Sequence, residues 1–573
     1  MGLLFSFVMS FKDLLIFLPH ATEITGFSPA RERTYLIIFQ NNNELRPTGG
    51  FISSYGLLKF KNGRYEGLEV SDVYANTEQA NYIAPPYPMT ELMGIPGKPF
   101  SYSFRDANFF PQFTLAARSL EKMFMLTHQD VNLDGMIAIN YSVMEDLLGV
   151  MGDVKVGDIT FTEENVFETI EREVNDIDKH NIEDLANRKN ILKMLTQELE
   201  KEIFSRPDIW PDIGRLVMKN LNKKSIQLYF KDYELQKLMV DKGWAGAWTS
   251  TTGDFFAVNE ANYGGLKSNR YMKKDITYDL SISPIGKAYS MDASLTVDIT
   301  HYGVDNPPIS ANYSGYLRTY VPQGAKIVKN TGGEDFRKAS ETFYNFFSNI
   351  IHIAPGSKMT LSYQYKLPAK LIADNKYSLY VPKQSGADDD TYTIIIRLPQ
   401  GYSVKTDNME AKENIAFFSG KITKDMNFDL EIIPDINPPY IIYQNIQNLG
   451  GAVVIFNENL DKISAGNIAN YSLIDSNEKD TKNKDSIKIT GAIVNEKVLT
   501  ILYEGMTFQP EERFILQMNN IKDEHGNKID SGVKKITLVQ RIKPDQLPSA
   551  EDDTGTNGTT TPVLTPLDPE YYM

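Results

Sequence analysis

Apolar and polar positions along the first half of the chain switch between two periods. "YLIIFQ" (35–40), "FISSYGLLKF" (51–60) and "DGMIAIN" (134–140) are apolar runs of strand length. "FTLAARSLEKMFMLT", "SVMEDLLGVMG" and "NRKNILKMLTQELEKEIF" instead place apolar residues at helical spacing. This alternation predicts an α/β layer architecture over residues 30–272, with Tyr35–Gln40 and Met136–Asn140 in one central sheet. Thr162 ahead of paired glutamates and Asp184 ahead of "LANRKNIL" supply helix-starting caps. Residues 1–29 open on "MGLLFSFVMSFKDLLIFLPH", apolar at roughly helical spacing but broken by Lys12 and Asp13. That stretch is too short and interrupted to span a membrane; it predicts a packed helix, with an interfacial anchor as the alternative.

The pattern changes after "KSNRYMKKDI". "YDLSIS", "ASLTVDITHYG", "GYLRTYVP", "KMTLSYQYKL" and "YTIIIRLP" alternate with period two between short turn clusters, which predicts an antiparallel β-sandwich region over 273–434. The Pro-rich "IIPDINPPY" marks a boundary, and a further all-β unit covers 436–540 with its own apolar alternation. Residues 543–573, rich in Pro, Thr, Gly and acid, have little to bury and predict a disordered acidic tail. The fold class is therefore multidomain, α/β plus all-β. A length of 573 residues fits several domains better than one core.

Composition narrows the chemistry. A net charge of −15 argues against a nucleic-acid partner, which needs a basic surface. The chain has no cysteine, which excludes disulfides, thiol nucleophiles and Cys-ligated metals, and suits an exported protein. Six histidines without an HExxH sequence argue against a His-based zinc site, and GxSxG, GxxxxGK[ST] and GxGxxG are all absent.

The candidate chemistry begins between the first two strands, where "QNNNELRPTGG" interrupts two apolar runs. Gly49 and Gly50 would let the main chain approach a ligand, Arg46 would present a planar fork to an oxyanion, and Glu44 would orient it. The same residues also read as simple turn-builders. In "FRDANFFPQF", Arg105, Asp106 and Asn108 beside aromatics could line an anion or sugar site, or form a buried ion pair under Phe109 and Phe110. "VNEANYGGLKSNRY", with Asn259, Asn262, Lys267 and Arg270, reads as a domain joint. Among the turn acids of the last unit, Asp461, Asp523, Glu524 and Asp530 are candidates for calcium, although no EF-hand spacing is present.

Three resemblances follow. "YLIIFQNNNELRPTGGFISSYG", "VSDVYAN", "FRDANFFPQF", "DGMIAIN" and "GDFFAVNEANYGGLKSNRYM" occur in an order that resembles a bacterial domain family of unknown function, DUF4012, over about 30–430. Within it, "LDGMIAINYSVMEDLLGVMGDVKVGDITFTEENV" looks like the core of the LytR-CpsA-Psr family, membrane-anchored phosphotransferases that move glycopolymers from polyprenyl pyrophosphate to the cell wall. That likeness implies an extracytoplasmic, membrane-associated protein that binds a polyprenyl-pyrophosphate-linked or cell-wall glycan. It implies Arg46 and Arg188 on the pyrophosphate, and Asp72 as a catalytic carboxylate holding Mg or Mn. Whether the chain is an enzyme stays open. "VVIFNENLD", "NYSL" and "IKDEHGNKI" resemble the Ig-like domains of bacterial surface-layer proteins, which suits the alternative of a non-enzymatic cell-surface structural or adhesion protein.

Overall fold

A computed structural model gives the architecture. It describes residues 19–27, 30–76, 81–94, 99–175, 190–249, 251–285, 288–307, 309–341, 343–387, 390–399, 401–447, 451–475, 486–504, 513–529 and 535–539. The chain divides into two units, 1–434 and 435–573.

In the first unit, strands β1 (Glu32–Asn41), β2 (Phe51–Lys61), β3 (Arg64–Asp72) and β4 (Gly135–Asn140) join Ile226–Phe230 in one sheet of order β3-β2-β1-β4-(226–230). β1 and β4 run parallel, from Tyr35 opposite Gly135 to Gln40 opposite Asn140, and the other pairings are antiparallel. Near-continuous apolarity lets β1 bury both faces. Leu36 and Ile38 pack with Ala116, Leu120 and Phe124 of the helix Phe113–Phe124. Tyr35 packs with Leu216, Leu221, Leu235 and Met239 of the helices Trp210–Asn222 and Tyr233–Asp241.

The unit also holds a small hairpin, Val154–Val156 with Ile159–Phe161, packed with helices in its own core, and a seven-, a four- and a five-stranded sheet that share another apolar core. Leu280, Leu295 and Val297 represent the first sheet there, Leu317 and Phe347 the second, and Leu379, Phe428 and Leu430 the third. The strand Ala257–Asn262, which falls in the α/β stretch by sequence, pairs antiparallel with Tyr313–Pro322 and so belongs to the four-stranded sheet. Ala261, Tyr263, Tyr316 and Ile350 also pack into the core built on Leu36 and Ile38, so the α/β sheet and the four-stranded sheet share buried surface.

The second unit holds two four-stranded antiparallel sheets, one from 441–447, 451–456, 498–503 and 489–495, the other from 486–487, 471–475, 513–518 and 535–539. Val454, Phe456, Leu499 and Ile501 of one meet Leu473, Phe514, Leu516 and Met518 of the other. The apolar N-terminal stretch to residue 18, Asp184, Arg188, Asp530 and the acidic tail lie outside the described residues. Among the described residues no helix is long and apolar enough to cross a membrane.

Candidate functional site

The loop between β1 and β2 is buried. Arg46 keeps 1% of its surface exposed, and Asn43, Glu44, Leu45 and Thr48 are also buried. Arg46 Nη2 donates to Glu44 Oε1 at 3.1 Å, Nη1 stands 3.4 Å from Asp106 Oδ1, and the guanidinium lies over the rings of Tyr263 and Phe51. Burial pushes the Glu44 carboxyl up. Burial alone would lower Arg46, but Asp106 and Glu44 outweigh it and hold the guanidinium above its ordinary value. This ion triad offers no open face to a ligand.

The glycines are required by neighbouring protein. Gly49 has φ +137°, and a Cβ there would lie 2.4 Å from Asn140 Oδ1 and 2.7 Å from Ser385 Oγ. At Gly50 a Cβ would meet the Asn41 carbonyl at 2.3 Å.

Around the triad the loop is tied in by side chains from far along the chain. Gln40 Nε2 donates to Thr48 O, Thr48 Oγ1 donates to Gln40 Oε1 at 2.6 Å, and Asn108 Nδ2 donates to Gly50 O at 2.8 Å. Gln227 Nε2 also reaches Thr48 O, at 2.6 Å, and Asn140 Nδ2 donates to Ser385 Oγ. From the four-stranded sheet and its flank, Asn259 Nδ2 donates to Pro47 O, and Leu45 N donates to Asn269 Oδ1. Arg318 Nη2 bonds Asn259 Oδ1 and Phe109 O. Gln384 bonds both ways with the Glu260 backbone.

A second buried charge cluster adjoins this one through Asn269, whose Nδ2 donates to Glu260 Oε1 at 2.7 Å. Lys274 Nζ lies 2.5 Å from Glu260 Oε2 and 3.2 Å from Asp390 Oδ1. One cation serves two carboxylates. Burial opposes ionisation of Glu260, but Lys274 and the hydrogen bonds from Tyr313 and Asn269 hold its pKa below the usual range. Burial pushes Asp390 up to about 6 despite Lys274, with Glu260 adding to the rise.

The remaining sequence-derived residues sit as follows. Asp106 is fully buried and bridges Arg46 to Arg105, whose Nε is 3.2 Å from Asp106 Oδ2. Arg105 has 25% of its side chain exposed and lies over Tyr74 and Phe100. Asp72 ends β3, and its Oδ1 accepts from Tyr74 N at 2.8 Å. Lys267 lies 3.3 Å from Glu171, and Arg270 pairs with Glu168 and Glu145. Asn262 Nδ2 donates to Leu266 O and Asn269 Oδ1. The structure thus brings Glu44, Arg46, Gly49, Gly50, Arg105, Asp106 and Asn108 into one continuous region, most of it sealed by protein, with Asp72 beside Tyr74 at its edge. In the second unit Asp461 caps the helix Lys462–Gly466, accepting from Ser464 N, while Glu524 is exposed and Asp523 is buried.

A family model described as "Protein of unknown function (DUF4012)" matches residues 31–174. Those residues carry the DUF4012 domain. The match spans β1 to β4 and the Arg46–Asp106 pair, about a quarter of the chain and less than the stretch 30–430 that the motifs suggested. No curated protein matches. Solved structures with local likeness include a Streptococcus agalactiae protein (12% identity, 39% of this chain and 75% of that one, TM-score 0.22). A Legionella pneumophila protein described as nutrient-binding gives 7% identity, 31% and 71% coverage and a TM-score of 0.22. An M1 zinc metallopeptidase from Deinococcus radiodurans gives 10%, 33%, 47% and 0.17. Likeness at this level carries no functional argument.

Proposed function

We propose that this is a non-enzymatic structural protein of the bacterial cell envelope. In this reading the DUF4012 domain and the β-sheets behind it form a rigid base, and the second unit is an Ig-like display module. The observation that carries it is Arg46. The residue best suited by sequence to hold a pyrophosphate is buried and ion-paired with Glu44 and Asp106 inside a closed polar joint, although its Nε and Nη1 make no hydrogen bond. Binding a lipid-linked glycopolymer there would require the joint to open and both carboxylates to lose their partner. The absence of cysteine and the acidic composition suit an extracytoplasmic location.

Calorimetric titration of a polyprenyl pyrophosphate analogue into the full chain, with and without magnesium or manganese, tests this reading. No saturable binding is expected. Saturable binding that Arg105→Ala or Asp72→Asn abolishes would instead restore glycopolymer transfer as the function.

A further inference from the structure

We propose that the second unit binds one divalent transition-metal ion, of the zinc or manganese class, between Asp435, Glu458, Asp523 and His525. Each of these four side chains presents one ligand atom, and the four atoms all lie within 4.8 Å of one another. They come from three separate stretches: Asp435 precedes the first strand, Glu458 follows the strand Gly451–Phe456, and Asp523 and His525 occupy the turn before Asn527. One ion there would tie together three parts of the unit that no covalent link holds.

A second observation, independent of the clustering, points to a ligand. Both ring nitrogens of His525 are hidden from solvent and hydrogen-bond to nothing. The imidazole keeps 15% of its surface exposed, and since its nitrogens are hidden that exposure falls on carbon. Its Nδ1 faces the cluster, 3.9 Å from Asp523 Oδ2. A buried imidazole normally finds a donor or acceptor for at least one nitrogen.

The charge balance agrees. Among the described residues, no lysine or arginine forms an ion pair with any of the three carboxylates. Asp523 is fully buried, and its Oδ1 is fixed by the backbone N–H groups of His525 and Asn527, each at 2.8 Å. Asn527 Nδ2 donates to Asp523 Oδ2 and to Asp435 O, which orients both chain segments toward the site. Amide donors that fix a ligating carboxylate are the usual outer support of a metal centre.

The donor set decides the class of ion. Calcium and magnesium take oxygen donors, whereas an imidazole with carboxylates suits zinc, manganese and their neighbours. Donors about 2.1 Å from the ion stand about 3.4 Å apart around a tetrahedral ion, and about 3.0 Å (adjacent) or about 4.2 Å (opposite) apart around an octahedral one, so the four side chains, now within 4.8 Å of one another, must draw together on binding.

The test uses the full chain after chelator treatment. Equilibrium dialysis against zinc or manganese should give one ion per chain. The ion should also raise the unfolding temperature of the second unit, because only the folded state assembles the ligands. His525→Gln and Glu458→Gln should each lower affinity about tenfold or more, while their metal-free unfolding transitions match the wild type. Asp523 is left intact because its carboxylate also holds the turn. Failure to bind either ion, equal binding by both variants, or a shift produced by calcium or magnesium alone would overturn the proposal. Because the site lies wholly in the second unit, this outcome is independent of the titration that tests the first.

Discussion

The sheets of the second unit meet differently from the way the α/β sheet of the first unit meets its four-stranded sheet. In the second, Val454, Phe456 and Leu499 meet Leu473, Phe514 and Leu516 across an apolar core. In the first, Tyr263 and Tyr316 supply apolar contact, but beside them Glu44, Arg46, Asp106, Glu260 and Lys274 are buried in charged clusters with Gln40, Asn108, Asn259 and Gln384 around them. An apolar core tolerates volume-conserving exchange. A buried charged joint does not, because removing one member strands the others without water or partner. The same residue types that signal a binding site in sequence therefore act, when buried and paired with one another, as fasteners between layers.

The largest expected effect follows from that difference. Arg46→Met should destabilise the first unit by about 3–5 kcal/mol by leaving Glu44 and Asp106 buried and unpaired. A volume-conserving exchange in the second unit, Leu473→Met, should cost less than about 1.5 kcal/mol. Denaturant unfolding of both variants checks this, and similar losses would erase the contrast.

A pH effect comes next. Asp254 is fully buried, and burial pushes its pKa up to about 6, although its carboxylate accepts from Tyr278, Tyr377 and the Phe255 N–H. A raised carboxyl binds a proton in the native state that the unfolded chain has released. Its stabilisation is therefore full below about pH 4 and is lost as pH rises through about 6, by up to about 3 kcal/mol. The stability difference between wild type and Asp254→Asn should change across that window. A difference that stays constant from pH 4 to 7 would remove Asp254 from the account.

The smallest effect is local. Asp461 Oδ1 accepts the Ser464 N–H at 2.7 Å, so Asp461→Ala should cost the second unit about 1 kcal/mol. Thermal unfolding should show the shift in that unit's transition alone.

Much of the first sheet was legible in the sequence, because β1 and β4 are apolar runs of strand length flanked by helices with apolar residues every three or four positions. The burial of "NNNELRPTGG" was not. Its composition reads as a surface loop, and the groups that satisfy it, Gln227, Asn259, Asn269 and Gln384, stand about 180 to 340 positions away with no local pattern to announce them. The strand Ala257–Asn262 was obscured likewise, since its asparagines and glutamate are buried on both faces and hide the two-residue period. In the second unit Asp523 stood out as a turn acid with His525 two positions on, whereas Asp435 and Glu458 become their neighbours only after folding.

The central claim is that the loop of residues 42–50 is an internal joint of the first unit. Hydrogen exchange of the full chain at the amides of Glu44, Leu45, Gly49 and Phe51 tests it most directly, since these donate to Asn41 O, Asn269 Oδ1, Arg46 O and Glu44 O within buried surroundings. They should exchange as slowly as the amides of β1, opening only when the unit unfolds. Exchange at the rate of an exposed loop, with β1 still protected, would contradict the joint and reopen the loop as a ligand-binding element.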